Sequence, residues 1–209
     1  MDGGLLKIMT LNVRSLLKHI SDVERIVEVN SPDVVCLQET WVSANNTNES
    51  SYNMQGYNLH LSSVGRGKGV ATYSTQSFWI AGHITQPNLQ ISKVSSKEVD
   101  VINVYRSDAC KEIEQMLRTL LDRNKETIIV GDFNINLKKE GSKQSGLLKF
   151  MEEFGLHQHV TNSTHQSENE EPSLIDHVYA SAQMFHRIQI EKKCVHFSDH
   201  DALFVKIKK

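Results

Sequence analysis

No apolar run in the 209 residues approaches the ~20 that a membrane-spanning helix needs, which sets helical membrane proteins aside. Cysteine is scarce: Cys36, Cys110 and Cys194 are odd in number, widely spaced and never at zinc-ligand spacing. A disulfide scaffold and a zinc finger are therefore excluded, and reduced thiols in a reducing compartment are expected. Proline occurs only at positions 32, 87 and 172, and neither a linker nor an internal repeat interrupts the chain. Residues 1–209 accordingly read as one domain. Charge of one sign is missing too. With 23 Lys and Arg against 25 Asp and Glu, the net charge of −2 argues against a simple nucleic-acid-binding module with a uniformly basic face. Local basic groups remain at Arg66 and Lys68, at Lys138, Lys139 and Lys143, and at Arg187, Lys192 and Lys193. The opening Met-Asp-Gly-Gly-Leu-Leu-Lys-Ile leads straight into a strand-like segment and does not read as a signal peptide.

What the chain has is many short strands and a few amphipathic helices. Strands are expected over residues 5–11, 33–37, 57–61, 69–74, 78–84, 90–94, 99–105, 127–130, 174–179, 185–191 and 202–208. A helix is expected over 15–29, where Leu16, Ile20, Val23, Ile26 and Val27 recur at helical spacing, and Pro32 stops it. Two more are expected over 112–123 and 145–153, the last ending near Gly155. Residues 43–51 and 163–171 read as surface loops. The two halves resemble each other, which suggests two packed sheets with helices outside.

The polar residues with chemistry stand at the ends of the apolar runs, where a rigid strand hands over to a loop. Glu39 follows Val-Val-Cys-Leu-Gln, and a carboxylate there is costly unless it meets a cation or a donor. Asp132 and Asn134 follow Ile-Ile-Val-Gly, with Gly131 permitting a tight exit. Asp176 and His200 form a potential carboxylate–imidazole pair, which fixes a tautomer and raises basicity. Read one at a time, each is an ordinary turn or surface residue. His157-Gln158-His159 lacks partner ligands for a metal, and Gly65-Arg66-Gly67-Lys68-Gly69 reads as a hairpin turn, not a nucleotide-binding loop.

Taken in order, Leu11-Asn12-Val13-Arg14, Gln38-Glu39-Thr40-Trp41, Val104-Tyr105, Gly131-Asp132-Phe133-Asn134, Ile175-Asp176-His177-Val178 and Ser198-Asp199-His200 resemble the endonuclease/exonuclease/phosphatase family. That family includes apurinic endonucleases and pancreatic deoxyribonuclease, and the nearest resemblance within it is to endonuclease domains of non-LTR retrotransposons. The resemblance implies an α/β, four-layered sandwich of two packed, mostly antiparallel sheets flanked by helices. It also implies a Mg²⁺-dependent DNA endonuclease, with Mn²⁺ as a substitute ion. Glu39 is then the principal Mg²⁺ ligand, with Asn12 beside it as ligand or orienter, and Asp199 as a ligand for a second metal or a support for His200. Asp132 orients or deprotonates the attacking water. Asn134 holds the phosphate, His200 (oriented by Asp176) donates to a phosphate oxygen, and Tyr105 adds its hydroxyl. Arg14, Arg66, Lys68, Arg106, Lys138 and Lys143 are the implied DNA contacts. The family continues its tyrosine as Tyr-x-Pro-Asn, whereas this chain has Tyr105-Arg106-Ser107-Asp108, so no role is carried to Asp108.

By the same resemblance, the substrate is double-stranded DNA and the products are 3′-hydroxyl and 5′-phosphate ends. The 3′-hydroxyl is suited to priming reverse transcription by an enzyme of the same polyprotein. A monomeric domain in the nucleus is the matching setting. The alternatives are an abasic-site repair endonuclease, a phosphatase of the same fold, or a binding module without catalysis.

Overall fold

A computed structural model describes residues 4–43, 49–62, 64–107, 110, 112–168 and 170–208. Two strands, β1 (Leu5–Asn12) and β2 (Val34–Gln38), run parallel because helix α1 (Leu16–Asn30) carries the chain back between them. The hairpin pair β3 (Asn58–Ser62) and β4 (Val70–Ser74) then adds antiparallel to β2. The second half repeats the device. The meander β5 (Trp79–Gln86), β6 (Leu89–Ser95) and β7 (Val99–Arg106) is followed by α2 (Ile113–Leu120) and by β8 (Glu126–Asp132), parallel to β7. Helix α3 (Ser142–Glu153) leads to β9 (Leu156–Gln158) and β10 (Asp176–Ser181), and β11 (Ile188–Lys193) and β12 (Ala202–Lys208) return to the first sheet beside β1.

The result is two six-stranded sheets, ordered β11-β12-β1-β2-β4-β3 and β5-β6-β7-β8-β10-β9. Period-two alternation explains the layering. Ile8, Val34, Cys36 and Val205 from one sheet meet Val101, Ile128, Val130 and Val178 from the other. The opposite faces carry Met9, Leu11 and Val35 against α1, and Ile102, Val104 and Ile129 against α2 and α3. Helix, sheet, sheet, helices: this is the expected four-layered α/β sandwich. The expected element boundaries agree to within a few residues. β9 escaped notice because three residues are too few to show a period, and β10 starts at Asp176 instead of Leu174. All three cysteines are free, with Cys36 and Cys110 buried and Cys194 exposed. Among the described residues no helix is long and apolar enough to cross a membrane. Asp108 lies outside the described residues.

A polar strut crosses the apolar interlayer beside the site. Gln38 Nε2 donates to Asn103 Oδ1 at 2.7 Å and to Thr10 Oγ1 at 3.0 Å. Asn103 Nδ2 donates to the Leu37 and Ala71 carbonyls and to Thr72 Oγ1. Both side chains are fully buried, so each bond broken leaves a dry polar atom. Asn103→Leu is expected to destabilise the fold by about 3 kcal/mol, read as a lower denaturant midpoint at unchanged m-value. The strut matters because Gln38 immediately precedes Glu39.

Candidate active site

The parallel register of β1 on β2 sets Asn12 beside Gln38, and the antiparallel register of β10 on β8 sets Asp132 opposite Asp176. Asn12 Nδ2 joins the two sheets here, donating to Glu39 Oε1 at 3.0 Å and to Asp132 Oδ2 at 2.9 Å. Trp41 Nε1 holds the other Glu39 oxygen at 3.0 Å. The backbone of Glu39 is fixed as firmly. Its carbonyl accepts from Ser15 N–H, and that of Thr40 accepts from Leu16 N–H, which satisfies donors at the start of α1.

Among the described residues, six non-glycine positions have a positive φ, and five lie in this corner: Arg14 (45°), Ser15 (96°), Glu39 (49°), Trp41 (58°) and Asn134 (48°). Strain of this kind persists only where surroundings over-determine it, and it gathers at functional sites. At Asn134 two bonds impose it: its N–H donates to Asp132 Oδ1 (2.9 Å), and its Nδ2 donates to the Arg106 carbonyl (2.7 Å).

Asp132, Asp176 and His200 form a buried trio whose ligand-type atoms lie within 4.8 Å of one another. Burial, with the Asp176 charge added, pushes the Asp132 carboxyl up to about 7. For His200 burial acts the other way, but the Asp176 carboxylate (2.9 Å from Nδ1), helped by Asp132 and Asp199, outweighs it and raises the imidazolium to about 9. Thr164 Oγ1 donates to Asp176 Oδ2 at 2.7 Å, fixing that carboxylate in turn. His177, the neighbour of Asp176, is not part of the chemistry. Burial lowers it to about 4, and its neutral ring donates from Nε2 to the Ile135 carbonyl and stacks on Phe133 at 4.7 Å, bracing the Asp132–Asn134 turn.

The donor set fits a hard divalent cation. Glu39 is a half-buried carboxylate held by two N–H groups, and among the described residues no Lys, Arg or His pairs with it. Oxygen ligands without a counter-charge are what Mg²⁺ or Mn²⁺ requires. Beside it opens a cleft of roughly 770 Å³ lined by Arg14, Lys18, His19, Trp41, Phe197 and Asp199.

A sequence model described as endonuclease–reverse transcriptase matches residues 99–204, half of the chain. This protein belongs to the endonuclease–reverse transcriptase family. No curated protein sequence matches it. Among solved structures, the endonuclease/phosphatase-type fold recurs at low identity. The Neisseria 3′ phosphatase NExo bound to a product DNA hairpin has a TM-score of 0.79 at 19% identity, covering 98% of this chain and 100% of that one. An AP endonuclease from Archaeoglobus fulgidus gives 0.76 at 21%, with 97% and 99% covered. The endonuclease domain of TRAS1, a telomere-specific non-LTR retrotransposon, gives 0.75 at 14%, with 98% and 99% covered. As a family member the chain is homologous to phosphodiesterases that act on DNA, a metal-dependent group of enzymes.

Within this family member, one expected role needs correction. Arg106 is not a DNA contact: it is 2% exposed, and its guanidinium donates to the Phe133 and Cys110 carbonyls, anchoring the turn after β8 from inside. Asn12, expected as ligand or orienter, donates through Nδ2 to both carboxylates, while its Oδ1 accepts from the Arg14 N–H. It spaces and orients Glu39 and Asp132. Tyr105 is buried, and its hydroxyl donates to the Gly67 carbonyl at 2.9 Å, tying the glycine hairpin to the site. Asn134 is placed beside Asp132, with Nδ2 committed to Arg106. Asp199 is ion-paired with Arg14 and lies 3.4 Å from His165 Nε2. Exposed Arg66 stacks over Trp41 at 5.3 Å, and Lys68 accepts the Trp41 N–H through its carbonyl. Lys138 and Lys143 stand exposed between β8 and α3 and in its first turn.

Sequence reasoning missed Thr164 and His165. Their segment read as a surface loop, yet Asp201 N–H donates to the Thr164 carbonyl and Gln166 N–H to the Asp199 carbonyl, making it a partner of the Ser-Asp-His segment. No periodicity marks it. The only signal available was Ser163-Thr164 standing twelve residues before Asp176.

Proposed function

We propose that the protein is a Mg²⁺-dependent endonuclease that nicks one strand of duplex DNA, leaving 3′-hydroxyl and 5′-phosphate ends. The observation that carries this reading is the Asn12 amide bridging Glu39 to Asp132, whose neighbour Asp176 holds His200. Charge neutralisation, proton removal and phosphate stabilisation thereby meet on one floor. A cation on Glu39 would neutralise the phosphate and steady the departing 3′ oxygen. Asp132, held by Asn12 and the Asn134 N–H, takes the proton of the attacking water. His200 Nε2 donates to a non-bridging oxygen as its charge grows, while Asp176 keeps the ring in place. The water oxygen bonds to phosphorus as the P–O3′ bond breaks, the departing 3′ oxygen takes up a proton from solvent, and the phosphate remains on the 5′ end.

Its place among endonuclease–reverse transcriptase sequences and its fold likeness to the TRAS1 domain favour a mobile-element role, in which the released 3′-hydroxyl primes a reverse transcriptase of the same polyprotein in the nucleus. The direct test is relaxation of supercoiled plasmid with Mg²⁺, followed by polymerase extension of the nick. Nicks that a polymerase extends without end repair support the reading. Cleavage only of abasic duplex, or only of a small phosphoester, overturns it.

The Trp41-stacked Arg66 and the neighbouring Lys68 are the cations nearest the proposed cation ligand on the hairpin side. Arg66→Ala combined with Lys68→Ala is expected to weaken DNA binding and to lower the slope of log K against log salt by about 1 to 2, measured by anisotropy.

A further inference from the structure

We propose that His165, Asp199 and His200 form a second cation site, distinct in chemistry from Glu39, that takes a borderline transition ion such as Zn²⁺ and silences the enzyme. One ligand atom from each of the three lies within 4.8 Å of the others. Asp199 Oδ2 is 3.4 Å from His165 Nε2, and Oδ1 is 3.9 Å from His200 Nε2. An ion about 2.0–2.2 Å from each donor spans separations of this size after small side-chain adjustments.

Three further observations point to an ion. Each imidazole is tied at its other nitrogen, His200 Nδ1 to Asp176 at 2.9 Å and His165 Nδ1 to Ser173 Oγ at 3.1 Å. That leaves both Nε2 atoms turned to the shared space, the arrangement that orients histidines around a metal. Asp199 Oδ1 is buried and has no hydrogen-bond partner, and such an atom calls for an explanation. Finally, the backbone holds the ligands in place beforehand. His165 and His200 form an antiparallel bridge, their rings 4.4 Å apart, and Gln166 N–H binds the Asp199 carbonyl.

Two imidazoles and one carboxylate favour Zn²⁺ over Mg²⁺, which prefers oxygen and keeps its waters. Arg14 can retain Asp199 Oδ2 while the ion takes Oδ1. Ser167 Oγ, now 3.1 Å from His165 Nε2, is the group that must yield. Three protein ligands leave a position open to water or phosphate. The silencing rests on the reading of His200 as the phosphate donor, because an ion on Nε2 removes that donor. The binding itself does not depend on that reading.

Co²⁺ titrated into the purified chain without Mg²⁺ is the direct probe. The wild type is expected to bind with visible d–d absorption, Glu39→Gln to bind equally well, and His165→Gln to bind at least tenfold more weakly. Asp199→Asn, which keeps the side-chain shape, should weaken binding likewise, and thermal melts check that both variants fold. In the companion assay Zn²⁺ stops Mg²⁺-supported nicking by the wild type, whereas His165→Gln nicks with Mg²⁺ and resists Zn²⁺. Equal Co²⁺ affinity in His165→Gln and wild type, or no Co²⁺ spectrum at all, overturns the site. A chain that binds Co²⁺ through His165 yet never nicks DNA would sink the functional reading and leave the site standing.

Discussion

Asp132→Asn protein is expected to fold like the wild type and to nick supercoiled plasmid roughly 10²–10⁴-fold more slowly, the usual cost of losing a general base. The change preserves shape, but its single carbonyl oxygen keeps only one of the two hydrogen bonds that Asp132 accepts, from Asn12 Nδ2 and from the Asn134 N–H, so a denaturant titration beside the rate separates chemistry from packing. The pH dependence is equally diagnostic. Asp132 accepts a proton only when ionised, so activity should rise as pH climbs through about 7. A cation on Glu39 moves that limb lower by favouring the carboxylate. His200 donates only when protonated, so activity should fall as pH passes about 9. His200→Ala should lose the alkaline limb along with about 3–4 kcal/mol of transition-state stabilisation. A wild-type rate in Asp132→Asn would place the base elsewhere.

Gly131→Ala is expected to abolish folding, not merely activity. Gly131 has a φ of +136°, and a Cβ there would sit 1.9 Å from the Val104 carbonyl oxygen and 2.9 Å from its N and C atoms. All three are backbone atoms of β7, its register partner in the parallel pair, so no side chain can move aside. The strand must separate or the turn carrying Asp132 must shift. Either costs several kcal/mol, at the upper end of single substitutions. Circular dichroism and a denaturant titration of the purified variant decide it, and a midpoint within experimental error of wild type would refute the argument. The contrast with Gly65 and Gly67 is useful. They also have positive φ, but an added Cβ meets nothing within 4 Å, so only backbone strain is at stake.

The framework was legible in the sequence because burial and periodicity are local properties. The continuous apolar run of β2 and the helical spacing of Leu16, Val23 and Val27 record what meets the core, and that pattern does not depend on knowing the partner. The strand-end motifs were legible for the same reason: polar residues that interrupt apolar runs stand out against them. Arg106 was misread by this logic, since a cation beside Tyr105 looks like a surface group until three carbonyls are folded around it. Asn103 shows the same limit. A lone asparagine in an apolar strand becomes a strut only when Gln38 arrives from the other sheet.

From its own order of residues, the chain declared two layers of strands, the helices that cover them and the strand ends where acids and amides accumulate. Tertiary structure alone decided which of those ends share a floor, that Asn12 serves two carboxylates as donor, and that the segment around His165 belongs beside His200. The reason is physical: periodic burial is written within each element, whereas hydrogen bonds and charge coupling depend on distances between residues as far apart as Asn12 and Asp132, which only packing sets.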